Sequence, residues 1–209
     1  RPGYGKKLEK VGCAGVAMGV ESGSMTLRKS LLDRFMPDSE ILRGFKELEK
    51  TNIRISANNI IGFPGESRED IMLTIDLNRK INPDTIMCNA FRPYAGTKLR
   101  KICIEKGLIP KEERAEDNRI YGAFYNGVLT SEELENIRKV FALYVSFPKS
   151  RWPEIKKAET DNFLYSKLME EFNDKQLLDR KNRQNMSSSI HENIEAHELF
   201  INDPESVVI

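Results

Sequence analysis

The sequence is poor in the residues that mark several common functions. It has three cysteines, Cys13, Cys88 and Cys103, standing far apart. That spacing excludes a disulfide framework or a zinc knuckle and fits a reducing compartment. Their simplest role is as small buried apolar side chains. His191 and His197 have no partner ligands at metal-binding spacing, so no metal site is expected. No apolar run approaches the roughly 20 residues that cross a bilayer. The opening Arg1-Pro2-Gly3-Tyr4 has none of the apolar stretch of a secretion signal, and a cytoplasmic location is the expectation. It also lacks an initiating Met, so the natural chain is expected to begin upstream or to be processed. Charge of one sign is missing as well, with 33 Lys+Arg against 32 Asp+Glu. No field of that balance draws nucleic acid or an anionic membrane, and no nucleic-acid partner is expected. Neither a Gly-x-Gly-x-x-Gly nor a phosphate-loop lysine is present, which weakens the reading as an ordinary nucleotide-binding domain.

What is present is alternation of strands and helices. Across 209 residues, 39% hydrophobic residues suffice for one folded domain with an appendage. Leu8 and Val11 read as a helix end closed by Gly12. Val16 to Val20 reads as a buried strand, broken by Glu21-Ser22-Gly23-Ser24. Asp38 is a good N-cap for a helix carrying Ile41, Leu42, Phe45 and Leu48. A second strand is expected over 53–61, followed by the turn Gly62-Phe63-Pro64-Gly65. Ser67 with Asp70 opens the next helix, and Asn82-Pro83-Asp84 stops it. Thr85 to Phe91 is the third strand, and a short helix then runs to Lys106, with Gly107 closing it. Such alternation implies parallel strands in a doubly wound sheet or a β/α barrel. In both, loops at the strands' C-terminal ends gather into one site. The remainder is helical: Thr130 with Glu133 caps one helix, and a second is expected from Glu154 to about Asn182. From Gln184 onward the serines and scattered charge predict a loose tail.

Three stretches, each just after an expected strand, resemble one family. Val11-Gly12-Cys13-Ala14-Gly15 through Gly19-Val20-Glu21-Ser22-Gly23-Ser24 resembles the signature of the fourth strand of a radical S-adenosylmethionine (SAM) barrel. Asn59-Ile60-Ile61-Gly62-Phe63-Pro64-Gly65-Glu66-Ser67 is similar to that family's fifth strand and loop. Phe91-Arg92-Pro93-Tyr94-Ala95-Gly96-Thr97-Lys98-Leu99 is similar to the segment after its sixth. The resemblance covers about residues 6 to 110. Asn78-Arg79 with Pro83-Asp84, Tyr144 to Pro148, and Trp152-Pro153 further resemble the branch with a cobalamin-binding domain. That branch includes magnesium-protoporphyrin cyclase-like and hopanoid-modifying enzymes.

The resemblance implies an α/β fold: a partial (β/α) barrel at 1–110, a helical C-terminal extension at 111–183 and a loosely structured tail at 184–209. It implies the SAM-binding half of an enzyme that modifies an unactivated carbon, with methyl transfer as one outcome. Glu21 and Ser22 would meet the ribose or ammonium group of SAM. Asn58 rather than Asn59 would reach the ribose, since neighbours on a strand point to opposite faces. Gly62, Phe63, Phe91 and Pro93 would line the adenine, and Arg92 and Tyr94 would face a small-molecule or lipid-like substrate. Glu66 reads as charge at a helix N-terminus. The family's Cys-x-x-x-Cys-x-x-Cys loop is absent, so the 4Fe–4S cluster and cobalamin would come only through a missing upstream segment. That segment and an external electron donor are the implied partners. A noncatalytic, truncated binding or scaffold module is the competing expectation.

Overall fold

The computed structural model describes residues 2–111 and 124–178, in two compact units, Arg1–Tyr165 and Ser166–Ile209. In the first unit the order is α1 (Tyr4–Lys10), β1 (Gly15–Glu21), α2 (Met25–Ser30), α3 (Asp38–Leu48), β2 (Arg54–Ile61), α4 (Arg68–Ile81), β3 (Thr85–Ala90), α5 (Lys98–Glu105), α6 (Ser131–Ser146) and α7 (Trp152–Ala158). The second unit is helical over its described part, 166–178.

The three strands form one parallel sheet in the order β1-β2-β3. The register sets Gly19 beside Asn58, Asn58 beside Met87, and Ile60 beside Asn89. Strand alternation then divides the sheet into unlike faces. On one face Val20, Ile55 and Ala57 pack with Ile41, Phe45 and Leu48 of α3 and Leu77 and Ile81 of α4. α6 covers β3 on the same side. The opposite face carries Ala17, Asn58, Met87 and Asn89, which are exposed or half-exposed.

Local chemistry sets the helix ends. Ser67–Asp70 and Thr130–Glu133 form reciprocal capping boxes at α4 and α6, as their spacing predicts. Asn82 in the left-handed region ends α4, and Gly107 follows α5 with φ +67°. The Arg79 guanidinium donates from Nη1 to the carbonyls of Tyr144, Val145 and Phe147 at 2.8, 2.7 and 2.6 Å. Those are the carbonyls that the end of α6 leaves without helical partners.

Three local expectations are corrected. Pro37 is the N-cap of α3, and Asp38 is instead its first residue, paired with the buried Arg28. The helix expected from 154 to 182 is broken: α7 stops at Ala158, and helix resumes at 162. Asp161 Oδ1 accepts from the amides of Phe163 and Leu164, both at 3.0 Å, and so starts a new helix. Only Cys103 is buried, while Cys13 and Cys88 are half-buried. The expected tail from 184, with His191 and His197, lies outside the described residues.

Candidate functional site

The C-terminal ends of the strands open onto a cavity of about 1190 Å³, with Glu21, Arg34, Phe63, Phe91, Arg92 and Tyr94 in its walls. Glu21 closes β1 in an unusual way. The register with β2 skips between Gly19 and Glu21, and Glu21 itself has φ +63°. A non-glycine residue there carries backbone strain of order 1 kcal/mol or more, and such strain concentrates at functional positions. Its Oε1 lies 3.3 Å from Arg34 Nη1, which also donates to the Gly19 carbonyl at 3.2 Å. Both side chains keep solvent contact, so the pair is worth at most about 1 kcal/mol and is cheap to rearrange around a ligand.

The turn after β1 is held from behind. Ser22 is fully buried; its Oγ accepts from the Ser24 amide and its carbonyl from Arg28 Nη1 at 2.7 Å. Gly23 donates its amide to Thr74 Oγ1 at 2.7 Å, and a Cβ there would stand 2.3 Å from the Leu73 carbonyl oxygen. This close approach to α4 requires glycine.

The floor is aromatic. Phe63 and Phe91 are buried with ring centroids 5.2 Å apart, and Phe124 joins Phe91 at 5.9 Å. Phe63 comes from the turn after β2, where Gly62 has φ +88° and Gly65 φ +85°. Inside that turn Glu66 is fully buried and accepts from the Gly62 and Phe63 amides through Oε2. Burial pushes its carboxyl up to about 8, against the pull of those two amides. It is therefore no exposed charge at a helix N-terminus, contrary to the expectation; Ser67 is the cap of α4.

The loop after β3 is fixed by Arg100, whose Nη1 donates to the Pro93 carbonyl at 3.1 Å, and by Thr97, whose Oγ1 donates to the Tyr94 carbonyl at 2.7 Å. Lys98 bonds Asp33 at 2.9 Å and ties this loop to the segment carrying Arg34.

Of the residues expected at a site, Glu21, Phe63, Phe91, Arg92 and Tyr94 share the cavity. Ser22 is turned into the packed interior, and Gly62 and Pro93 shape neighbouring backbone. Asn58 lies on the open face of β2, in line with the cavity residue Ile60. Asn59 points the other way and exchanges amide hydrogen bonds with Asn78 at 3.1 and 2.6 Å. Sequence reasoning missed Arg34, because the short helix α2 before it was not seen. It also missed Asn126, although Asn126-Gly127 is a turn signal.

Chemically, a carboxylate beside a guanidinium complements a zwitterionic amino-acid group, and the aromatic floor suits a flat heterocycle. Among the described residues no three His, Cys, Asp or Glu side chains gather as metal ligands, and no helix is long and apolar enough to cross a membrane.

No family model matches the chain. Its relatives are enzymes by name. It is 27% identical over 145 residues to an uncharacterized methyltransferase of Pyrococcus horikoshii, a match covering 69% of this chain and 31% of that protein. It is 33% identical over 113 residues to the tRNA-2-methylthio-N(6)-dimethylallyladenosine synthase of Caldicellulosiruptor saccharolyticus, covering 53% of this chain and 23% of that one. A probable threonylcarbamoyladenosine tRNA methylthiotransferase of Pyrococcus horikoshii is 31% identical over 81 residues, or 39% of this chain and 19% of its own length. The matches thus span less than a third of each of these relatives. The chain is similar to methyl- and methylthio-transferring enzymes over that part.

Proposed function

We propose that this chain is the SAM-binding part of a radical SAM enzyme, with β1 to β3 as half of a (β/α) barrel and residues 111–183 as a helical extension. The carrying observation is Glu21, strained at the end of β1, paired with Arg34 and sharing one cavity with Phe63 and Phe91. The open sheet face, with Ala17, Asn58, Met87 and Asn89 exposed or half-exposed, supports the half barrel, since parallel sheets are normally covered on both faces. The methyltransferase and methylthiotransferase relatives support the enzyme class.

In this reading Glu21 accepts from the ammonium and ribose hydroxyls of SAM, and Arg34 holds its carboxylate. Phe63 and Phe91 exclude water from the adenine, while the Gly62–Gly65 turn lets backbone approach its edge. Asn58 reaches the ribose from the open face. Bound SAM supplies the adenosyl chemistry that activates an unactivated carbon. A 4Fe–4S cluster does not fit the residues present: Cys13 lies before β1, Cys88 in β3 and Cys103 in α5. In this reading the cluster and, for the cobalamin branch, cobalamin would be held by an upstream segment, and an external donor would supply the electron.

Arg92 and Tyr94 face the substrate, a small or lipid-like molecule. The tRNA-modifying names among the relatives favour a second substrate reading, a tRNA base. Translating the DNA upstream of Arg1 in frame tests the enzyme reading. A Cys-x-x-x-Cys-x-x-Cys triplet one half-barrel upstream is the expected result, and a preceding cobalamin-type domain would fix the branch. A nearby start codon without the triplet would end the enzyme reading and leave the binding module standing.

A further inference from the structure

The turn that carries Phe63 is locked by a residue far away in sequence. Asn126 is fully buried, and its side chain uses its whole hydrogen-bonding capacity. Nδ2 donates to the carbonyls of Phe63 at 3.1 Å and Glu66 at 2.9 Å. Oδ1 accepts from the amides of Val128 at 3.0 Å and Leu129 at 2.8 Å. The Asn126 carbonyl accepts from the Gly65 amide at 2.7 Å. From the inside, Glu66 Oε2 takes the amides of Gly62 and Phe63. The turn's two left-handed glycines have little stiffness of their own, so these bonds select one conformation.

We propose that Asn126 and Glu66 are positioning residues of the cavity: together they clamp the Gly62–Glu66 turn so that Phe63 stands against Phe91 as a preformed wall for the ligand's heterocycle. Asn126 precedes the Thr130 cap of α6, so the clamp joins the helical extension to the ligand site. For its ligand this assignment rests on the SAM reading; for the turn itself it rests on geometry alone.

The two halves of the Asn126 amide separate a positioning role from a merely structural one. Asn126→Asp keeps the acceptor that holds Val128 and Leu129, and removes the donors that hold Phe63 and Glu66. Backbone amide exchange by NMR and calorimetric binding of S-adenosylhomocysteine are measured on the full chain. The expected result is exchange at Phe63 and Gly65 faster by roughly tenfold or more, with the Glu133 amide, bonded to Thr130 Oγ1, still protected. Affinity for S-adenosylhomocysteine should fall by about tenfold. A second pair of variants tests the other jaw should Asn126→Asp fail to fold. Glu66→Gln keeps an acceptor for both amides, so its turn amides should exchange more slowly than those of Glu66→Leu. Glu66→Leu should free the turn. Wild-type turn exchange and wild-type affinity in Asn126→Asp, or in Glu66→Leu, would overturn the proposal. A wild-type chain that binds no S-adenosylhomocysteine would instead count against the SAM reading, and the turn amides would still judge the clamp.

Discussion

The two faces of the sheet follow different rules. The helix-covered face is packed with Val20, Ile55, Ala57 and Ile61, and its one polar member, Asn59, is matched by Asn78. The other face shows Ala17, Ser56, Asn58, Met87 and Asn89, with no comparable packing among the described residues. Burial explains the first set and explains little of the second. The strained Glu21 and its Arg34 partner lie at the end of β1 in the cavity. On the proposed reading the contrast separates residues that serve stability from residues that serve a ligand, and substitutions on each face should tell them apart.

The largest effect is expected on the covered face. Ile61→Ala should cost about 4 kcal/mol in urea unfolding, since it empties a fully buried site. Asn58→Ala, three residues earlier on the open face, should change stability by less than about 0.5 kcal/mol. Equal costs would erase the contrast.

Next comes a pH effect from Glu66. Its carboxyl titrates near 4.5 when unfolded and near 8 when folded, because burial disfavours the charge. Between those values the folded chain holds a proton that the unfolded chain has released. The stability this provides is fully present below about 4.5 and is lost as pH rises through about 8, at up to about 1.4 kcal/mol per pH unit across that window. Denaturation midpoints between pH 4 and 9 should show this fall in the wild type, and Glu66→Gln should remove it.

A smaller loss is expected from Asn78→Ala. It leaves the buried Asn59 Oδ1 without its Asn78 donor, while Nδ2 keeps the Met87 carbonyl, and should cost about 2 kcal/mol. The double variant Asn59→Leu with Asn78→Leu should cost less than the two single changes added together. Smallest for stability is Glu21→Gln, within about 0.5 kcal/mol for a solvent-screened pair. That change should nonetheless weaken S-adenosylhomocysteine binding by roughly tenfold or more in calorimetry.

These sites were not equally legible in the sequence. The parallel order of β1, β2 and β3, both capping boxes and the cavity position of Glu21 follow from local pattern. Alternation also separates Asn58 from Asn59, since period two sends them to opposite faces. What escaped is long-range. The Asn59–Asn78 pair spans 19 positions and the Asn126–Phe63 bond spans 63. Glu66 sits between Gly65 and Ser67, which read as a surface turn, and only the folded turn shows the carboxyl folded back under its own amides. α2 was missed because its six residues follow a run of turn formers. The split after α7 was missed although Thr160-Asp161-Asn162 is a run of cap-forming residues, and Asp161 starts the new helix.

The central claim is that the cavity at the strand ends holds the adenosyl ligand. Titrating S-adenosylhomocysteine into the isotope-labelled chain, with amide shifts followed by NMR, tests it most directly. The account predicts saturable shifts centred on Glu21, Arg34, Phe63 and Phe91 to Tyr94, weakened by Glu21→Gln. Shifts confined to other surfaces, or none at millimolar ligand, would contradict it.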